Sequence, residues 1–184
     1  MKKLRFPRTG DVAFAGVVAA LYIILTLLSR MLGLDSGVIQ LRFSEALTVL
    51  PYFLPSCVPG LFIGCLLSNL LAGCALPDIL FGSLTTLAAA AVTAWIGKRG
   101  APRVLAPLPP ILFNAVTVPC LLSFVYGAAG TFPVFLLTVT IGELLSCGVL
   151  GLLLARILQP VFPKLQKRFA ASDGTSATPE EPLS

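Results

Sequence analysis

The feature that most constrains this chain is a nearly continuous apolar stretch covering residues 11 to 162. Of the 184 residues, 57% are hydrophobic and 11% are charged, whereas an ordinary soluble domain is about 25% charged. These values exclude a soluble, a disordered or a disulfide-scaffold protein. A transmembrane helix needs roughly 20 mostly apolar residues, so the stretch holds about six helices joined by short turns. We therefore predict one integral membrane domain.

The predicted fold is an all-α bundle of six transmembrane helices. The segments are residues 12–32, 39–54, 58–71, 78–96, 108–126 and 133–158. The second and third segments are short, and the turn between them, which contains Pro51, Pro55 and Pro59, is uncharged. An alternative therefore stays open, in which four helices cross the membrane and these two segments form a re-entrant pair.

The basic residues predict the orientation of the bundle. They cluster before the first segment, between the fourth and the fifth, and at the end of the sixth: Lys2, Lys3, Arg5 and Arg8; Lys98, Arg99 and Arg103; Arg156, Lys164, Lys167 and Arg168. The positive-inside rule places all three clusters in the cytoplasm. Residues 1–11 are then a cytoplasmic basic N-terminus, residues 12–169 the bundle, and residues 170–184 a polar cytoplasmic tail that we expect to be disordered. Clusters at segment ends do not form a nucleic-acid patch.

Several kinds of chemistry are absent from the sequence. The chain has no histidine, which removes Ser–His or Cys–His catalysis and histidine metal sites. The five cysteines form no C-x-x-C pair and are expected to be free hydrophobic side chains. We therefore expect no enzyme, no metal and no cofactor. The phosphate-binding motif G-x-x-x-x-G-K-[ST] is also absent, so an ATP-driven process needs another polypeptide as its motor.

Glu143 is the most informative polar residue. It lies about ten residues into the last segment, near the bilayer midplane at about 1.5 Å per residue. An ionisable group there is costly and favours a functional role. The alternative is that Glu143 is protonated, or that it bonds to a neighbouring helix such as the one carrying Asn114.

A second polar group lies at the start of the second segment. Arg42 and Glu45 are three residues apart and would neutralise each other on a helix. However, polar and apolar residues alternate through residues 40–44, which indicates that part of this stretch is extended.

The polar residues of the bundle form a predicted substrate-binding set: Gln40, Arg42, Glu45, Asn69, Asp78, Asn114, Tyr126 and Glu143. Carboxylates outnumber the one arginine, so the set suits a cationic ligand rich in N–H donors, with a planar face for Phe43 or Tyr126 to stack on. Alternative roles are helix capping for Asp78 and helix-to-helix bonding for the asparagines.

Small residues on the first segment predict a docking surface. Ala15 and Ala19 are four residues apart, with Gly16 and Ala20 beside them, and such a stripe lets another helix approach closely. The stripe is a candidate for docking a separate subunit, and packing within the bundle is the alternative.

Several motifs carry a resemblance to a known family. They are QLRFSEALTVLP at residues 40–51, PGLFIGC at 59–65, DILFGSL at 78–84 and LAPLPP at 105–110, together with Asn114 and Gly142–Glu143. The chain resembles the queuosine-precursor transporter family, QueT, over about residues 11–169. The resemblance implies the substrate-binding S component of an energy-coupling factor (ECF) transporter, with six helices and an outward-facing site. It also implies a transmembrane coupling subunit and two ATPases as partners, and the family's A-x-x-x-A docking motif corresponds to Ala15 and Ala19.

The functional hypothesis is import of a queuosine precursor, such as an aminomethyl-deazaguanine base, across a bacterial cell membrane. Its ammonium arm, exocyclic amine and ring N–H groups match the carboxylates of the polar set. Two alternatives stay open: an S component for another vitamin or an amino acid, and a stand-alone ion- or proton-coupled carrier with Glu143 as proton relay.

Overall fold

The computed structural model describes residues 9–35, 40–125, 127 and 132–163, and every regular element in those ranges is helical. In chain order the elements are α1 (Thr9–Met31), a 3₁₀ helix (Phe43–Tyr52), α2 (Cys57–Leu71), a π-helical turn (Asp78–Gly82), α3 (Ser83–Lys98), a short 3₁₀ turn (Arg103–Leu105), α4 (Leu108–Phe124), α5 (Phe132–Glu143), a π-helical stretch (Leu144–Gly151) and α6 (Leu152–Leu158). The predicted tail and Tyr126 lie outside the described residues.

Within the described residues, four helices are long and apolar enough to cross a membrane: Gly10–Met31, Asp78–Lys98, Arg103–Phe124 and Phe132–Leu158. They correspond to the predicted segments one, four, five and six. Large apolar side chains on all four are exposed, including Ile24, Trp95, Phe124 and Leu137, as expected for helices that face lipid.

The predicted segments two and three differ from the other four. The 3₁₀ helix has ten residues and spans about 20 Å, and the 15 residues of α2 span about 22 Å. Neither covers the roughly 30 Å of a bilayer core. These lengths match the alternative with a short pair, so six crossings and cytoplasmic termini remain predictions. Arg42, just before the 3₁₀ helix, is extended, with φ −115° and ψ 113°.

Small residues form the contact between α1 and α2. A side chain at Gly60 would collide with the backbone of Ala15, and one at Gly64 would lie 2.8 Å from Tyr22 Cβ and 3.2 Å from Ala19 Cα. Ala19 is only 7% exposed. Ala15 and Ala19 of α1 therefore pack against Gly60 and Gly64 of α2, whereas Gly16 and Ala20, beside the two alanines, are exposed.

The 3₁₀ helix lies inside the bundle, and residues 44–51 are all buried. Glycines on the surrounding helices let its backbone approach. A Cβ at Gly97 would collide with the carbonyl of Tyr52, and one at Gly151 would lie 2.8 Å from Val49 Cγ1. The Tyr52 hydroxyl donates to the Ala101 carbonyl. The segment is thus enclosed by protein, which suits an irregular backbone at membrane depth.

We predict that Gly60→Ala destabilises the protein by about 1–3 kcal/mol, because the added methyl overpacks the contact between α1 and α2. Gly16→Ala is the matched control, since no atom lies within 4 Å of a Cβ at that position. Thermal unfolding in detergent measures both variants. Equal melting temperatures for the two would contradict the close contact.

Candidate functional site

Two adjoining cavities lie at the 3₁₀ helix. The inner cavity measures about 30 Å³, and its lining is Gln40, Arg42, Glu45, Cys65, Asp78, Gly82, Thr86, Asn114, Val118, Val139 and Glu143. The outer cavity measures about 460 Å³, and its lining is Arg30, Asp35, Gln40, Arg42, Gly73, Cys74, Asp78, Val118, Leu121 and Leu122. The two cavities share Gln40, Arg42, Asp78 and Val118, so these residues stand at the boundary between them.

The structure brings six of the eight predicted binding residues to the inner cavity: Gln40, Arg42, Glu45, Asp78, Asn114 and Glu143. Asn69 is buried next to the cavity, where its amide donates to Cys65 Sγ at 3.6 Å, but it is not part of the lining. Tyr126 lies outside the described residues. Phe43, the other predicted stacking residue, is not part of either lining.

Two buried carboxylates meet at one amide group. Asn114 Nδ2 donates to Glu143 Oε1 at 3.1 Å and to Glu45 Oε2 at 3.4 Å. The exposed fractions of Glu45, Glu143 and Asn114 are 3%, 8% and 7%. Glu143 therefore does bond to the helix that carries Asn114, which was the alternative role considered from the sequence. Glu143 also lines the cavity.

The other two carboxylate oxygens also accept hydrogen bonds. The Tyr22 hydroxyl donates to Glu45 Oε1 at 2.5 Å, and Cys147 Sγ donates to Glu143 Oε2 at 3.1 Å. Five side chains from α1, the 3₁₀ helix, α4, α5 and the π-helical stretch thus form one hydrogen-bonded chain. Buried carboxylates are stable in an apolar interior when they are held in this way.

The local backbone explains how the carboxylates converge. Glu143 is the last residue of α5, directly before the π-helical stretch, and Asp78 opens the π-helical turn before α3. Such π-helical turns are frequent at functional sites. Gly142 has no side chain, so the Gln40 carbonyl packs directly against α5, and the Arg42 N–H donates to Ser146 Oγ at 3.3 Å. Residues 40–42 are therefore held beside Glu143.

The inner cavity carries an excess of acidic groups. Glu45, Asp78 and Glu143 face one guanidinium, that of Arg42. Arg42 lies before the helix rather than on it, and the hydrogen bonds of the Glu45 carboxylate come from Tyr22 and Asn114. In the outer cavity the acidic and basic side chains are more evenly matched, and Arg30 forms an ion pair with Asp35 at 3.8 Å. The arrangement favours a cationic group in the inner cavity.

Three side chains that could ligate a metal also lie close together. One donor atom from each of Glu45, Glu143 and Cys147 lies within 4.8 Å of the other two. Hydrogen bonds already join Cys147 to Glu143 and Asn114 to both carboxylates. This geometry favours a hydrogen-bonded network over a metal centre.

Several residues of this site were not predicted from the sequence. Tyr22 lies in an apolar segment, and Cys65 and Cys147 were expected to be small hydrophobic side chains. The sequence contains a signal for two of them: Tyr22, Thr26 and Ser29 recur at helical spacing along α1, and Cys147 follows Glu143 by one helical turn.

Comparison with known proteins identifies the family. The profile of the QueT transporter family matches residues 12–160. The chain belongs to the QueT transporter family. It is 36% identical over 80 residues to the "Queuosine precursor transporter QueT" of Lactococcus lactis subsp. cremoris (strain MG1363), an alignment that covers 44% of this chain and 47% of the relative. No solved structure matches the chain significantly. This QueT-family chain is thus a multi-pass protein of the bacterial cell membrane.

We predict that Asn114→Leu destabilises the protein by about 1–3 kcal/mol, because it removes hydrogen bonds from two buried carboxylates. The matched control is Asn69→Leu, since the Asn69 amide donates to a thiol, which is a weak acceptor. Thermal unfolding in detergent compares the two. A loss at position 114 no larger than at position 69 would refute the bridging role of Asn114.

Proposed function

We propose that this chain is the substrate-binding membrane subunit, the S component, of an ECF-type ATP-driven importer, and that its substrate is a queuosine precursor such as an aminomethyl-deazaguanine base. The observation that carries the proposal is the acidic inner cavity, in which Asn114 joins Glu45 and Glu143 beside a larger outer cavity. Membership of the QueT family and the printed name of the Lactococcus lactis relative support the choice of substrate.

The sizes of the cavities favour one orientation of the substrate. The outer cavity, at about 460 Å³, falls within the roughly 300–1,000 Å³ of ligand pockets and accommodates a bicyclic ring. The inner cavity, at about 30 Å³, accommodates a group the size of a water molecule. The ammonium arm therefore points inward, to Glu45 and Glu143, while the ring lies in the outer cavity.

The boundary residues are placed to contact the ring. Gln40, Arg42 and Asp78 line both cavities. The carboxylate of Asp78 is an acceptor for the exocyclic amine and a ring N–H, and Gln40 and Arg42 are donors for the ring carbonyl. The apolar side chains of Val118, Leu121 and Leu122 in the outer cavity suit the faces of the ring.

Energy for import comes from partner subunits in this proposal, because the chain has no phosphate-binding motif for ATP. The partners are a transmembrane coupling subunit and two ATPases. Docking through α1 stays a prediction. Since Ala19 is packed against α2 and Ala15 is half-buried, we place the contact on the adjacent exposed stripe of Gly16 and Ala20.

One observation favours a second candidate, a stand-alone proton-coupled carrier. Glu45 and Glu143 are buried, bridged by one amide and open to a cavity, and intramembrane carboxyl pairs serve as proton relays. Uptake by the chain alone that is abolished by an ionophore would favour this carrier. An S component for another vitamin or an amino acid would still require the ATPases for uptake, but the purified protein would bind a different ligand.

We predict that cells unable to synthesise the precursor regain queuosine in their transfer RNA when they express this chain together with its coupling module and receive the aminomethyl base. The measurement is the queuosine content of transfer RNA. Omission of the ATPases is the control and should abolish recovery. If recovery is absent with all subunits present, the proposed substrate is wrong.

We predict that Glu143→Gln weakens binding of the aminomethyl base by about 1.5–3 kcal/mol, the contribution of a charged hydrogen bond. An analogue whose arm ends in a neutral nitrile should bind wild type and variant alike. Calorimetry on purified protein measures both ligands, and Asp11→Asn, in the first turn of α1, is the control. Unchanged affinity for the aminomethyl base would remove Glu143 from the site.

A further inference from the structure

Tyr22, Thr26 and Ser29 of α1 form hydrogen bonds to residues 43–45, at the start of the 3₁₀ helix. These three α1 residues lie four and three positions apart, so they share one face of α1. Their hydrogen bonds follow in antiparallel order: Ser29 Oγ accepts from the Phe43 N–H at 2.8 Å, Thr26 Oγ1 shares a hydrogen bond with Ser44 Oγ at 2.8 Å, and the Tyr22 hydroxyl donates to Glu45 Oε1 at 2.5 Å. We name this set of contacts the α1 clasp.

The polar side chains of the α1 clasp are all buried. Tyr22 is 1% exposed, and Thr26, Ser29, Ser44 and Glu45 are buried as well. Away from water, a lost hydrogen-bond partner leaves an unsatisfied polar group and is not replaced by solvent. The register between α1 and residues 43–45 is therefore fixed by directional bonds and not by apolar packing alone.

We propose that Tyr22, Thr26 and Ser29 are positioning residues for substrate binding. They hold residues 43–45 so that the Glu45 carboxylate points at the inner cavity, and they tie the affinity for substrate to the position of α1. None of the three lines either cavity, so their effect passes through Glu45. This proposal rests on the proposed function, because it takes the inner cavity as the substrate site.

α1 is suited to this task because its two sides differ. One side carries the α1 clasp and the glycine contacts with α2. The other side exposes Val17, Ile24 and Leu28. A shift of α1 would therefore move the Glu45 carboxylate, and occupancy of the cavity would in turn resist that shift.

The test uses purified full-length protein in lipid nanodiscs with the variants Tyr22→Phe and Thr26→Val. Hydrogen exchange of the backbone amides of residues 40–46, recorded without ligand, reports whether the segment is held. Calorimetry with the aminomethyl base reports affinity. The matched control is Tyr52→Phe, because the Tyr52 hydroxyl donates to the Ala101 carbonyl at the other end of the 3₁₀ helix.

We expect faster exchange and roughly tenfold weaker binding in Tyr22→Phe, and no change in either for Tyr52→Phe. A double-mutant cycle separates positioning from a general structural role. In the Glu45→Gln background, Tyr22→Phe should change affinity by less than about twofold, since the hydroxyl acts through the carboxylate.

The outcomes distinguish this proposal from the proposed function. If wild type binds the base and both variants keep its affinity, the positioning role is refuted while the substrate assignment stands. If exchange of residues 40–46 is unchanged in the variants, the α1 clasp does not hold the segment and the proposal is also refuted. If wild type does not bind the base, the proposed function is refuted. The role of the α1 clasp in substrate binding is then refuted too, even if hydrogen exchange of residues 40–46 is faster in the variants.

Discussion

The structure depends on one interaction, the bridge that the Asn114 amide forms between the carboxylates of Glu45 and Glu143. It joins the 3₁₀ helix to α4 and to the end of α5, although 69 residues separate Glu45 from Asn114 in the sequence. Two acidic side chains at this depth repel each other and lose hydration, so each needs donors. Asn114, Tyr22 and Cys147 supply them. The result is a preorganised acidic pocket, and this suits a cationic group because the carboxylates are already held in place.

The rest of the bundle holds the segment that carries Glu45. A 3₁₀ helix is short and has poor hydrogen-bond geometry, so it persists here because protein encloses it. Gly97 and Gly151 let α3 and the π-helical stretch approach its backbone, and Gly142 does the same for residue 40. The long helices face lipid and supply Asn114 and Glu143 to the site, while the short 3₁₀ helix brings Glu45 to them. This division explains why the motif at residues 40–51 is polar within an otherwise apolar chain.

Much of this organisation could be predicted from the sequence. Composition predicted a membrane protein, and segment length predicted six helices, four of which are long enough to cross a membrane. The cost of burying polar groups singled out Glu45, Asn114 and Glu143. The 3₁₀ helix was not predictable, because its apolar residues have the hydropathy of a membrane segment and its shape depends on glycines elsewhere in the chain. Tyr22 and Cys147 were missed because their roles come from the folded structure, which places each of them within hydrogen-bond distance of a carboxylate. The sequence also does not show which small residues of α1 face outward, because spacing alone does not reveal that Ala19 packs against α2.

The central claim is that Glu45 and Glu143 recognise the ammonium group of the substrate. The most direct measurement is an experimental structure of the chain with the aminomethyl base bound. The account predicts the ammonium nitrogen in the inner cavity, at about 2.7–2.9 Å from an oxygen of both carboxylates, with the ring in the outer cavity. A base whose ammonium group points away from the inner cavity, with Glu45 and Glu143 out of its reach, would contradict the account.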